Sequence, residues 1–81
     1  MERNKLFWAS RRGMLELDLI LQPFVDQVYP SLSQEDQARY VELLTCEDQD
    51  LFGWLMQQNT PADAQTRRIV DIICAARERQ S

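Results

Sequence analysis

Apolar residues recur along almost the whole chain at spacings of three and four, the period of a helix with one buried face. The first segment, Glu2 to Arg12, places Leu6, Phe7 and Trp8 near Ala9 and stops at Gly13, which enters the left-handed region without a Cβ clash. A second segment from Met14 to Val28 carries Leu17, Ile20, Leu21, Phe24 and Val28. Pro23 removes its hydrogen bond to the Leu19 carbonyl, which predicts a kink or a break. Tyr29-Pro30 closes it, because the residue before proline avoids the helical region.

Ser33 predicts the N-cap of a third helix, with Asp36 three positions on as a capping-box variant. Val41 and Leu44 form its apolar side, with Ala38, Tyr40 and Leu43 close by. Asp48 is the expected N-cap of a fourth, short helix containing Leu51, Phe52, Trp54 and Leu55. Thr60, Pro61 and Asp63 predict the fifth helix as cap, first helical residue and first-turn acid, ahead of a core stripe of Ile69, Val70, Ile73 and Ala76. The expected fold class is all-α: a small bundle of about five short helices, a single domain over residues 1–81.

Composition agrees with this reading. Two Gly and three Pro leave little punctuation for many short strands, and 44% apolar with 27% charged residues suits a folded domain. A domain this short buries only roughly 60% of its unfolded surface, so its stability is slim. The net charge of −4 argues against a nucleic-acid binder, whose affinity comes from cations on phosphate. Charge is unevenly spread: Arg3, Lys5, Arg11 and Arg12 make the first stretch basic, whereas from Glu16 to Asp50 there are nine acids and one base, Arg39. That asymmetry fits either orientation of a protein partner or a plain solvated surface. No apolar run reaches the roughly 20 residues of a membrane span, and the start lacks the pattern of a secretory signal. The expectation is a cytoplasmic protein without membrane insertion, in which Cys46 and Cys74 are reduced, mostly buried thiols.

The side chains offer little chemistry of their own. There is no histidine, no glycine-rich phosphate loop and no cysteine pair at metal-ligand spacing, so an enzyme is not expected. The acid pairs Glu35-Asp36 and Glu47-Asp48 stand at predicted helix starts, where free N–H groups account for them. The run Trp8 to Asp18 is unusual: two arginines, a glycine and two acids meet at a helix–helix corner. Gly13 would let another backbone approach, and Arg11 and Arg12 offer planar forks for carboxylates or phosphates. Alternatively Gly13 is only the turn, Glu16 belongs to the next helix start, and Arg12 is its ion-pair neighbour. Trp8 and Trp54 read first as packing residues and second as exposed anchors for a partner.

Arg12-Gly13-Met14-Leu15-Glu16 fits an RGxxE motif, preceded by Trp8 and Arg11 and followed by Leu17-Asp18. Downstream, the acidic stretch Glu47-Asp48-Gln49-Asp50 leads into Leu51-Phe52-Gly53-Trp54-Leu55. Together these resemble the two signatures of the SdhE-type FAD assembly factors for succinate dehydrogenase. The resemblance implies a five-helix protein that binds the flavoprotein subunit of succinate dehydrogenase, and also that of fumarate reductase. It further implies that the factor promotes covalent attachment of FAD to a histidine of that subunit while binding no cofactor itself. The implied partner-binding residues are Trp8, Arg11, Arg12, Gly13, Glu16, Asp18, Asp50, Phe52 and Trp54. Members of this family are also implied to act as antitoxins paired with a small membrane toxin, a different class of role.

Overall fold

A computed structural model of the protein describes residues 2–80, without the side chains of residues 3 and 80. Arg3, one of the basic residues of the first stretch, therefore has its side chain outside the described residues. Five α-helices follow one another without a strand among the described residues: α1 (Arg3–Ser10), α2 (Leu15–Gln27), α3 (Gln34–Leu43), α4 (Asp48–Leu55) and α5 (Ala64–Gln80), with a 3₁₀ turn at Tyr29–Ser31. The all-α expectation holds.

Helix α2 is the hub and packs against α1, α4 and α5, while α3 lies on α5. Its buried face is Leu17, Ile20, Leu21, Phe24 and Val25. Pro23 sits on the other side, and α2 runs through it unbroken. The packing of the flanking turns on the core outweighs the one lost hydrogen bond. Opposite lie Ile69, Val70, Ile73 and Ala76 of α5, all buried as the spacing predicts.

Four local expectations shift. The α3 stripe is Asp36, Tyr40 and Leu43 with Leu44 just beyond, leaving Val41 half-buried and Ala38 exposed. Ser33 does cap α3, its Oγ accepting from the Asp36 N–H at 3.1 Å, but the Asp36 carboxylate turns to Arg39 and Arg68. Helix α5 starts three residues later than predicted: Asp63 Oδ2 accepts from the Thr66 N–H, and Pro61 is buried in the approach. Asp48 is the first residue of α4 rather than its cap, and its carboxylate goes to Arg12.

Ser10 and Tyr40 join α1 to α3. The Ser10 hydroxyl donates to the Leu6 carbonyl, so the fully buried Tyr40 hydroxyl donates to Ser10 Oγ at 2.8 Å. Burial raises the Tyr40 pKa, keeping the phenol neutral.

Candidate partner-binding site

The α1–α2 corner is built by four residues, Arg11 to Met14. Arg11 and Met14 are extended and Gly13 has φ +82°, which reverses the chain in the left-handed region. A Cβ built on Gly13 would meet nothing within 4 Å, so this turn faces open space. The Arg12 N–H donates to Asp18 Oδ1 at 2.8 Å, tying the link to the first turn of α2.

The Arg12 side chain points inward. Its Nε donates to Asp48 Oδ1 at 2.7 Å, Nη1 to the Leu44 carbonyl at 2.8 Å and Nη2 to the Cys46 carbonyl at 2.8 Å. Leu44 caps the C-terminal end of α3, where carbonyls lack helical partners and carry the negative end of the helix dipole, and Cys46 lies two residues further, in the link to α4. A guanidinium fork satisfies both carbonyls and an acid at once, which a lysine ammonium could not reproduce in one plane. Arg12 is thus placed as an internal strap between helix ends, and its ion partner is Asp48 rather than the neighbouring Glu16.

The residues around it point outward. Trp8 is 64% exposed, Leu15 66%, Leu19 67% and Phe7 42%. These are the large exposed hydrophobics among the described residues, and all four belong to α1 or the first half of α2. Scattered exposed leucines are ordinary; four large apolar side chains within residues 7–19 of so small a domain are not. Trp8 is braced by Phe7, edge to face at 5.7 Å, and by the Arg11 guanidinium 5.8 Å over its ring. The reading of Trp8 as a packing residue therefore gives way to the exposed one. Gly13 and Glu16 are exposed beside this group.

The remaining predicted site residues do not all converge here. Asp50 is exposed and Phe52 is half-buried on α4, joined to the corner through the Arg12–Asp48 pair. Trp54 is half-buried elsewhere, lining a crevice with Pro61, Val70 and Cys74 between α4 and α5. Sequence reasoning missed Phe7, Leu15 and Leu19. The signal was there for the two leucines, since both fall off the Leu17, Ile20, Leu21, Phe24 stripe at helical spacing.

A family described as "Flavinator of succinate dehydrogenase" matches residues 4–77. The chain belongs to this flavinator family. The FAD assembly factor SdhE of Pseudomonas aeruginosa is 61% identical over 72 residues, covering 89% of this chain and 86% of the relative. That of Pseudomonas putida is 56% identical over 72 residues with the same coverage, and that of Shewanella oneidensis is 52% identical over 70, covering 86% and 85%. Among the described residues no group of three or more His, Cys, Asp or Glu could hold a metal ion. No helix among them is long and apolar enough to cross a membrane. Cys46 and Cys74 are free and half-buried, and burial raises both thiol pKa values, which keeps them poor nucleophiles.

Proposed function

We propose that this flavinator binds the flavoprotein subunit of succinate dehydrogenase in the cytoplasm and promotes covalent attachment of FAD to it, without performing the bond-forming chemistry itself. Membership of the flavinator family over residues 4–77 carries this reading. The exposed group at the α1–α2 corner supplies the docking surface: Phe7, Trp8, Leu15 and Leu19 give apolar anchors, and Arg11 and Glu16 give charges of both signs at its edge. Aromatic anchors of this kind dominate interface energies, and rim charges set orientation. Gly13 leaves room for a partner backbone to come close.

The flavin and the histidine that accepts it belong to the partner. The factor acts by favouring a partner conformation in which the two meet, so its binding energy is spent on population and proximity. Fumarate reductase, whose flavoprotein subunit poses the same problem, is a second client in this reading. The test is reconstitution: flavoprotein subunit and free FAD, with and without this protein, followed by denaturation and in-gel flavin fluorescence. Covalent flavin should rise with the factor present. An equal yield without it, or no complex between the two proteins, overturns the proposal.

A further inference from the structure

We infer that Arg12 is a positioning residue rather than a partner contact, acting through Asp48 to hold the α1–α2 corner in its binding-competent shape; this rests on the docking reading above. The Arg12 guanidinium meets the segment that leaves α3 at the Leu44 and Cys46 carbonyls and the start of α4 at Asp48, while its own N–H is taken by Asp18 of α2. A longer contact of 3.5 Å reaches the Ala9 carbonyl of α1. One residue therefore ties α1, α2, α4 and the segment that leaves α3 together. Its side chain is 18% exposed, so little of the fork remains for a partner carboxylate.

The strap lies directly beneath the turn that presents the exposed group. Helix α1 is only eight residues long and has no side-chain cap hydrogen bond at its N-terminus. Its anchors include the buried Leu6 and Ser10, the half-buried Ala9 packed on the core, and the Arg12 link. Helices this short are marginal without tertiary support. Releasing the guanidinium would leave the Leu44 and Cys46 carbonyls without this donor and free the corner to sample other orientations of Trp8 relative to Leu15. The two sequence signatures then have different duties: the first presents the surface, and Asp48 of the second anchors it.

The experiment compares Arg12→Ala, Asp48→Asn, Asp48→Glu and the Arg12→Ala/Asp48→Asn double variant of the full chain. Two readouts are taken well below the lowest melting temperature. Affinity for the flavoprotein subunit is titrated, and Trp8 fluorescence anisotropy of the free protein is recorded in a Trp54→Phe background. Asp48→Asn should weaken binding about five- to tenfold, the size expected when one coupled pair is lost. Adding Arg12→Ala to it should weaken binding no more than Arg12→Ala does alone. Asp48→Glu should recover most of the affinity, and Trp8 anisotropy should fall in all three charge-removing variants. Two outcomes overturn the inference: Asp48→Asn binding like wild type while Arg12→Ala binds weakly, which makes Arg12 a direct contact, or unchanged anisotropy and affinity in every folded variant, which makes the strap purely a stability feature. Failure of the wild-type protein to bind would instead remove the docking reading itself.

Discussion

The α3–α5 seam and the α1–α2 corner solve opposite problems with similar residues. Along the seam, Ile69, Val70, Ile73 and Ala76 are buried, and Arg68 reaches from the solvent side to clasp Asp36. At the corner, Phe7, Trp8, Leu15 and Leu19 face solvent, and it is the arginine that goes inside. Hydrophobic burial stabilises the first arrangement and is forgone in the second, at roughly 25 cal/mol for each Å² of apolar surface left in water. The seam explains itself by folding. The exposure at the corner has no such explanation within the fold, which is why the docking surface is proposed there.

The comparison breaks most visibly in stability. Ile73→Ala should cost about 2–5 kcal/mol, because the site is buried and repacks only partly. Leu19→Ala, the same class of truncation at the exposed corner, should change stability by no more than about 0.5 kcal/mol. Urea unfolding of the two variants measures both. Equal losses would mean that the corner is covered by the chain's own packing.

Binding should reverse that order. Trp8→Ala should leave unfolding nearly unchanged yet weaken the complex with the flavoprotein subunit by about 2 kcal/mol or more, roughly thirtyfold, as for an aromatic anchor. Ile73→Ala should bind normally wherever it is folded. Titration calorimetry on folded protein separates them, and a Trp8→Ala variant with wild-type affinity would move the docking surface elsewhere.

Gly13 sharpens the picture further, because two substitutions there share one backbone cost. Any L-residue at φ +82° is strained, so Gly13→Ala and Gly13→Arg should each lose about 1–2 kcal/mol of stability. Only the arginine projects a long side chain into the open space over the turn. Flavinylation of the partner should therefore survive Gly13→Ala at permissive temperature and fail with Gly13→Arg. Equal flavinylation by both at matched folded concentration would show that no backbone approaches there.

Much of this was legible in the chain. The α5 stripe and the Ser33 cap follow from period and cap chemistry alone; Gly13 does turn the chain at positive φ, but α1 ends at Ser10, two residues short of the expected Arg12, because Arg11 is already extended. The exposed position of Leu15 and Leu19 was legible too, had their phase relative to Leu17 and Leu21 been weighed. The destination of Arg12 was not. Its acceptors are two carbonyls and an acid more than thirty positions downstream, and backbone carbonyls leave no trace in sequence. Asp36 misled for a related reason: an acid in a first turn looks like a capping residue until Arg68, thirty-two positions away, is folded against it.

The smallest expected effect tests whether the seam's own charge cluster is held by folding. Asp36 is 5% exposed and takes Arg68 Nε at 2.8 Å and Arg39 Nη1 at 2.8 Å. The Arg68 hydrogen bond, helped by that of Arg39 and opposed by desolvation, holds its carboxyl below the usual 3.8. A carboxylate lowered by folding gives stability that is fully present above the unfolded value and is lost as pH falls through the folded one. Wild type should therefore lose melting temperature as pH drops below 3.8, the ordinary value for this group. Asp36→Asn carries no proton to gain, so it should be less stable than wild type near neutral pH and approach it in acid. Asp63, lowered by the Thr66 N–H, titrates in both proteins and leaves each with a residual slope. The informative quantity is thus the difference in melting temperature between the two proteins, scanned from neutral pH to about pH 2. It should shrink on the acid side, whereas a difference independent of pH would show that Asp36 contributes to the fold by shape and hydrogen bonding but not through its charge.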